Sequence, residues 1–222
     1  MATTVSTAVL KAVPIFAMLP EEQLRMLTMV VTRKSAPRST TIMAGGDPTD
    51  SLYIVLSGRL KVMMSDAEGK EVILSILGPG EFFGEMGLID DEPRSATVVT
   101  IEPCELLSIA KRDFKKSLAD NFDMSMAVMR GLVRRLREAD RKIGSLALLD
   151  VYGRVARLLL ELAVESEGGL VIAQRLTQQD IASRIGASRE MVSRILKDLS
   201  VGGYLTQSRA GIVLHRKPPE HW

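Results

Sequence analysis

The pattern of apolar and polar positions divides the chain into regions of different texture. Residues 8–30 carry apolar side chains at helical spacing, interrupted by prolines, which predicts short helices. Residues 39–109 instead contain short β-rich runs that turn signals separate, with no helical pattern between them. These runs cover residues 51–56, 59–64, 71–77, 96–100 and 105–109. Strands that follow one another so closely predict an antiparallel sandwich or barrel.

A long helical pattern follows the β-rich region. Residues 113–149 contain no proline, and apolar side chains recur at alternating spacings of four and three, which is a heptad seam. The seam consists of Phe122, Met126, Met129, Val133, Leu136, position 140, Ile143 and Ala147. A long helix with one such seam favours a parallel homodimer, although packing on its own β-domain would give a similar stripe.

Asp140 occupies the seam position where an aliphatic side chain is expected. An unpaired buried charge is costly, and in a two-fold dimer two such carboxylates would approach each other. Two interpretations stay open. Either the carboxylate is solvated, or paired with Arg137 or Arg141, in a splayed part of the seam, or it contacts a ligand.

The last third of the chain predicts a helix-turn-helix. Helical patterns cover residues 151–164, 177–185 and 188–200, and a small hairpin covers residues 204–214. The charged face at the start of the third helix would meet base edges, because arginine suits guanine and glutamate accepts from cytosine. A structural hairpin with a solvated charged face is the alternative. The candidate DNA contacts are Gln178, Ser188, Arg189, Glu190, Ser193 and Arg194, with Arg209 at the hairpin tip on a phosphate.

Charge and cysteine content limit the classes of protein. The first 120 residues carry 13 basic and 16 acidic side chains, whereas the rest carries 16 basic and 11 acidic ones, so the second part suits an anionic partner. Cys104 is the single cysteine, which excludes an internal disulfide or a thiolate cage and points to a reducing compartment such as the cytoplasm. We expect neither a signal peptide nor a membrane span, because no apolar run is long enough.

Residues 80–97 have the residue types of an anion site. Glycines permit close backbone approach, a short helix beginning near Glu85 directs N–H groups at an anion, and Arg94 with Ser95 supplies a cationic fork and a hydroxyl. Glu85 could accept from a sugar 2′-hydroxyl; alternatively, Glu85 and Arg94 form only a structural ion pair. The candidate ligand contacts are Gly84, Glu85, Met86, Arg94 and Ser95, with Arg137 and Asp140 on the long helix.

Together these motifs closely resemble the Crp/Fnr family of bacterial transcription regulators, over roughly residues 10–214. The resemblance rests on Gly-Glu-Met…Pro-Arg-Ser-Ala from residue 84, Arg-Glu…Ser-Arg from residue 189, and the junction of residues 142–151. It implies an α+β protein with Gly84, Glu85, Arg94 and Ser95 at the positions of a phosphate-binding cassette. The implied domains are a cyclic-nucleotide-binding β-roll (jelly roll) at residues 1–120, a dimerisation helix at 121–149 and a winged helix-turn-helix at 150–222.

The sequence departs from this family pattern at the base-contact positions. The cyclic-AMP-responsive members present a threonine and a serine on the long helix, and this chain has Ala139 and Asp140 there. A carboxylate matches the N1–H and N2–H donors of guanine, and Arg134, Arg137 or Arg141 could address O6 and N7. We therefore expect cyclic di-GMP or cyclic GMP in preference to cyclic AMP.

The resemblance also implies partners and excludes some cofactors. A regulator of this kind binds inverted-repeat DNA as a homodimer and contacts RNA polymerase, with no membrane partner. One cysteine excludes the family's iron–sulfur cluster, and two histidines, His215 and His221, weaken a haem site; redox sensing through Cys104 stays open. We find no nucleophile–base pair, metal cluster or Walker loop, so we do not expect an enzyme. The alternative function is ligand-independent DNA binding with a degenerate sensor domain.

Overall fold

The computed structural model describes residues 5–66, 68–69, 71–166, 169–173, 176–208 and 211–218. The chain forms two compact units, one ending at Arg134 and the other beginning at Arg135, so that one long helix belongs to both. In the described part of the chain, no helix combines the length and the apolar character that crossing a membrane requires.

The described residues of the first unit build a β-roll from two antiparallel four-stranded sheets, which confirms the predicted sandwich. The sheets have the strand orders β1-β8-β3-β6 and β2-β7-β4-β5. The strands are β1 (Val31–Ala36), β2 (Thr41–Met43), β3 (Ser51–Ser57), β4 (Leu60–Ser65), β5 (Glu71–Leu77), β6 (Phe82–Phe83), β7 (Thr97–Thr100) and β8 (Cys104–Ala110).

The sequence pattern missed β1, β2 and β6. The edge strand β1 exposes four consecutive residues and so shows no apolar alternation. The other two have three and two residues, which is too short for a periodic pattern. Edge strands and very short strands in these two sheets therefore form because they pair with neighbouring strands in the folded chain, and their own sequences do not predict them.

Helices cover the outer face of the first sheet. They are α1 (Thr7–Lys11), a 3₁₀ turn (Pro14–Phe16), α2 (Glu21–Val30), α3 (Met86–Ile89), α4 (Lys111–Asp120) and the start of α5 (Phe122–Leu148). Leu52 and Ile54 of β3 join the core beneath these helices, whereas Tyr53 and Val55 face the interior of the roll. The central strand is buried on both faces, which accounts for its uninterrupted apolar run.

The predicted continuous helix over residues 113–149 is broken at Asn121. This residue has extended backbone angles, φ −140° and ψ 109°, and separates α4 from α5. Its side chain accepts a hydrogen bond from the Met124 N–H at 2.7 Å and donates to Gln23 at 2.7 Å. An asparagine that caps a new helix in this way competes with continuing the old one.

The second unit is a helix-turn-helix with a four-stranded sheet of order β11-β12-β10-β9 in its described residues. Its elements are α6 (Val151–Leu162), β9 (Val164–Ser166), β10 (Gly169–Ile172), α7 (Gln178–Ile185), α8 (Arg189–Val201), β11 (Leu205–Ser208) and β12 (Gly211–Leu214). Val155, Leu159, Ile181, Val192 and Leu199 belong to its apolar core.

The sequence interpretation extended the first helix of this unit too far and missed two strands. The predicted helix over residues 151–164 ends at Leu162, and Val164 begins β9. β10 pairs with β12, so the predicted C-terminal hairpin belongs to a larger sheet. Strands of three and four residues give no resolvable period in the sequence.

Candidate functional site

Gly84 is the first candidate ligand contact of the predicted anion site and lies directly after β6. Its φ of +83° favours glycine, and a Cβ atom here would overlap Nη1 of Arg94 and lie 3.2 Å from the Ser51 carbonyl oxygen. The absence of a side chain therefore lets the arginine reach the backbone of the loop.

Arg94 is the buried cation of this site and is 5% exposed. Its Nη1 donates to the Gly84 carbonyl at 2.9 Å, and its Nη2 donates to the Ser51 carbonyl at 2.8 Å and to Asp50 Oδ1 at 3.0 Å. A hydrogen bond from the Ser51 hydroxyl, together with Arg94, lowers the pKa of the Asp50 carboxyl. The guanidinium is thus fixed in orientation by one carboxylate and two carbonyls.

The remaining predicted ligand contacts of the first unit adjoin Gly84 or Arg94 along the chain. Glu85 is 2% exposed and precedes α3, whose Leu88 and Ile89 N–H groups donate to its carbonyl at 3.0 Å each. Ser95 and Met86 are exposed, and the Ser95 hydroxyl lies 3.6 Å from the Met86 sulfur. We call Gly84, Glu85, Met86, Arg94 and Ser95 the phosphate cassette.

Two aromatic rings line the inner side of the cassette. Tyr53 and Phe83 stack with ring centres 5.2 Å apart and an angle of 18° between the planes. The Cζ of Arg94 lies 5.9 Å from the centre of the Tyr53 ring, and Nζ of Lys34 lies 5.2 Å from it. Sequence reasoning missed Asp50, Tyr53 and Lys34. No local motif marks them; Asp50 precedes Arg94 by 44 positions.

Strand β6 directly precedes the cassette in sequence and packs against the long helix α5. Its two residues point to opposite faces: Phe83 belongs to the inner core and Phe82 to the core beneath the helices. A Cβ at Gly131 of α5 would lie 2.8 Å from Cζ of Phe82, so the ring rests against the helix backbone. Phe82 thus packs on α5, and the next residue, Phe83, directly precedes Gly84.

The heptad seam of α5 does not face its own domain. The buried residues of the helix are Met124, Val128 and Gly131, which the helical period of about 100° per residue places opposite the seam. Within the first unit, the seam residues Phe122 and Val133 are 75% and 49% exposed. The self-packing explanation of the stripe is therefore wrong, because a different face packs on the β-roll.

The predicted base-contact residues lie in the second unit. Asp140 and Arg137 are both exposed on α5. The carboxylate at the seam is thus open to solvent or to a ligand in the single chain.

The helix-turn-helix has the predicted local geometry. A reciprocal capping box of Thr177 and Asp180 begins α7, Gly186 ends it with φ +66°, and the Ser188 hydroxyl accepts from the Met191 N–H at 3.2 Å to cap α8. Each cap satisfies backbone groups that the helix ends leave unpaired.

A shallow concave surface lies at the start of α8. Arg189, Glu190 and Arg194 are exposed there, and Ser193 is half-buried. Sequence reasoning missed Lys197, which continues the same face one turn later. We call the lining residues Gln178, Arg189, Glu190, Ser193, Arg194 and Lys197 the recognition surface. Arg209, predicted for the hairpin tip, lies outside the described residues.

Cys104 is buried inside the β-roll, where burial disfavours the reactive thiolate. Burial raises the pKa of the thiol, and the sulfur lies within hydrogen-bonding distance of the Glu102 and Arg59 carbonyls, at 3.2 and 3.4 Å. A protonated, buried thiol does not suit redox sensing. Across the described ranges, no group of three or more histidine, cysteine or acidic residues could hold a metal ion.

Two family models match the chain. Residues 33–121 match the cyclic nucleotide-binding domain, and residues 153–218 match the Crp-like helix-turn-helix domain. These ranges contain the phosphate cassette and the recognition surface.

Several named proteins are similar to most of the chain. It is 37% identical over 173 residues to the CRP-like cAMP-activated global transcriptional regulator of Mycobacterium tuberculosis, covering 76% of this chain and 77% of that protein. It is 41% identical over 179 residues to the cAMP-activated global transcriptional regulator CRP of Haemophilus influenzae, covering 78% and 79%. The c-di-GMP responsive global regulator CLP of Xanthomonas campestris has a solved structure with a TM-score of 0.79 and 31% identity, covering 89% of this chain and all of that one.

Proposed function

This chain belongs to the Crp/Fnr family of transcription regulators, and we propose that it binds a guanine cyclic nucleotide and responds by changing its affinity for DNA. The proteins that it resembles are transcription regulators and not enzymes. We assign ligand sensing to residues 1–120, dimerisation to 121–149 and DNA binding to 150–222. The regulator acts in the cytoplasm, where it meets DNA and RNA polymerase.

The phosphate cassette supports binding of the cyclic phosphate. The guanidinium of Arg94, which is held against the Gly84 carbonyl, offers a cation to the phosphate, and Glu85 offers an acceptor for the ribose 2′-hydroxyl. Ser95 is exposed beside Arg94 and supplies a further hydroxyl.

Asp140 carries the preference for guanine. A carboxylate accepts two hydrogen bonds, and the N1–H and N2–H groups of guanine donate two in the same plane. Adenine offers no such pair of donors on its Watson–Crick edge, so it would leave the carboxylate unpaired beside the base. Arg137 is one helical turn away and exposed, and it suits the O6 and N7 acceptors.

Dimerisation follows from the uncovered seam of α5. Val133, Leu136 and Ile143 are between 49% and 64% exposed and recur at heptad spacing. A second copy of α5 would bury this stripe, and it would also bring two Asp140 carboxylates together. A bound ligand that pairs with Asp140 removes that repulsion, which couples ligand binding to the packing of the two helices.

The recognition surface then reads an inverted repeat. Two-fold symmetry presents the two copies of α8 to half-sites about one helical turn, roughly 34 Å, apart. Arg189 suits guanine, Glu190 suits the amino group of cytosine, and Lys197 suits a phosphate. The change in DNA affinity equals the difference in the ligand's affinity for the two arrangements of the dimer.

Cyclic AMP is the second candidate ligand, because the two curated relatives described above are cAMP-activated. Isothermal titration with cyclic AMP, cyclic GMP and cyclic di-GMP, without and with operator DNA, separates the candidates. We expect at least one guanine nucleotide to bind more tightly than cyclic AMP. Tight binding of cyclic AMP with no response to either guanine nucleotide would refute the preference.

A matched variant tests the role of Asp140 in the same titration. The double substitution Ala139→Thr with Asp140→Ser introduces the residues that cyclic-AMP-responsive members carry at these positions. We expect it to shift preference from guanine to adenine nucleotides. Equal DNA affinity with and without every nucleotide would instead favour the ligand-independent alternative.

A further inference from the structure

Lys34 places a second cation at the aromatic ring that Arg94 faces. Its Nζ lies 5.2 Å from the centre of the Tyr53 ring, and Cζ of Arg94 lies 5.9 Å from the same centre. Nζ of Lys34 and Cζ of Arg94 are therefore separated by no more than the sum of these two distances. An anion that binds beside this ring is attracted by both cations.

The strand register places Lys34 on the inner face of the β-roll. Lys34 lies opposite Leu106 in the β1–β8 ladder, and Leu106 lies opposite Val55 in the β3–β8 ladder. Directly opposed residues share a face of the sheet. Leu106 and Val55 belong to the same core as Tyr53. The lysine therefore stands at the edge of the interior that the cassette lines.

The neighbours of Lys34 on β1 point to the other face and have a partner there. Arg33 Nε bonds to Glu105 at 2.9 Å, and the Ser35 hydroxyl bonds to the same carboxylate. Arg94 pairs with Asp50 at 3.0 Å. Across the described residues, no carboxylate lies within salt-bridge distance of Lys34. Of Arg33, Lys34 and Arg94, only Lys34 forms no ion pair with a described carboxylate. Its charge is therefore available to another anion.

We propose that Lys34 binds a second phosphate of the nucleotide whose first phosphate Arg94 holds, so that the site is suited to a cyclic dinucleotide. The inference rests on the proposed function and deepens it. A cyclic mononucleotide has one phosphodiester with one negative charge, which the cassette accommodates, whereas a cyclic dinucleotide has two. Lysine suits the second phosphate because it is a compact charge on a flexible stem and needs no fixed bidentate geometry.

Titration of the dimeric full-length protein with cyclic di-GMP and cyclic GMP, at one ionic strength, tests the assignment. Lys34→Gln removes the charge, Lys34→Arg retains it, and Lys116→Gln removes the same charge from an exposed position on α4. We expect Lys34→Gln to weaken cyclic di-GMP binding by about tenfold or more and to change cyclic GMP binding by less than about twofold. Lys34→Arg and Lys116→Gln should bind both nucleotides as the wild type does.

The outcomes separate this inference from the proposed function. If Lys34→Gln weakens both nucleotides equally, or neither, then Lys34 does not contact a second phosphate, while cyclic nucleotide sensing stands. If the wild type binds cyclic AMP alone, the guanine preference and the role of Lys34 both fail. If the folded wild type, checked by circular dichroism, binds no cyclic nucleotide, the proposed function fails with them.

Discussion

The phosphate cassette and the recognition surface hold their charges in opposite ways. In the cassette, Arg94 is buried and bonded to Asp50 and Ser51 at the start of β3 and to Gly84 after β6. On the recognition surface, Arg189 and Arg194 are exposed on a single helix. A buried charge that the fold itself bonds contributes to the core as well as to any ligand site, whereas an exposed charge contributes little to the fold and is free for a partner. Substitutions in the cassette should therefore affect stability and ligand binding together, and those on the recognition surface should affect DNA binding alone.

The largest effect is expected for Arg94→Ala. Loss of the Arg94 side chain leaves the Gly84 and Ser51 carbonyls and the Asp50 carboxylate without their donor, and it removes the cation that we propose for the phosphate. We expect a loss of nucleotide affinity of about 100-fold, near 3 kcal/mol, and a lower free energy of unfolding. Calorimetric titration and chemical denaturation measure the two effects.

Arg33→Ala is the matched control for Arg94→Ala. It removes the same charge from the same domain, but the ion pair with Glu105 is partly exposed and contributes at most about 1 kcal/mol. Similar losses of nucleotide affinity in both variants would contradict the assignment of Arg94. DNA binding without nucleotide should be unchanged in either variant.

Arg189→Ala should weaken operator binding by about 1 to 3 kcal/mol and relax the preference at one base pair, because arginine reads guanine through two acceptors. Lys197→Ala should weaken the binding of specific and non-specific DNA by similar factors. It should also reduce the slope of log affinity against log salt concentration by about one. Fluorescence anisotropy over a range of salt concentrations distinguishes them. Loss of nucleotide binding in either variant would contradict the separation of the two sites.

Gly131→Ala tests the contact between the cassette strand and α5. Alanine is the better helix former by about 1 kcal/mol, but its methyl group would lie 2.8 Å from Phe82, which must shift. We expect the free energy of unfolding to fall by about 1 to 2 kcal/mol. In the same helix, a methyl group at Gly144 would meet no described atom within 4 Å, so Gly144→Ala should raise the free energy of unfolding. A higher free energy of unfolding in both variants would show that the Phe82 ring moves aside at no energetic cost.

The smallest effect concerns Asp91, an exposed carboxylate in the loop between α3 and Arg94. Hydrogen bonds from Lys111 and Lys115 of α4, each 2.7 Å long, lower its pKa from 3.8 to about 2. Because the folded pKa is below the unfolded one, its contribution to stability is complete above the ordinary value and is lost as pH falls towards about 2. Asp91→Asn should therefore flatten the acid limb of a plot of unfolding free energy against pH. An unchanged limb would show that these bonds do not stabilise the fold.

Sequence reasoning found the two sites unequally well. The helix-turn-helix was predicted almost completely, because its caps at Thr177 and Ser188 and its turn at Gly186 depend on residues a few positions apart. Lys197 was missed although it has helical spacing from Ser193. In the cassette, the motif revealed Gly84, Glu85 and Arg94 but not the groups that hold them.

The sequence by itself determined the local elements: the central strands, the heptad seam, the helix caps and the order of the modules. Each depends on short-range spacing, which a one-dimensional pattern records. Only the tertiary structure decided which face of α5 packs on the β-roll, which carboxylate holds Arg94, and that Lys34 shares the Tyr53 ring with it. Those pairings depend on strand register and on the meeting of distant segments, and many sequences satisfy the same local pattern with different partners.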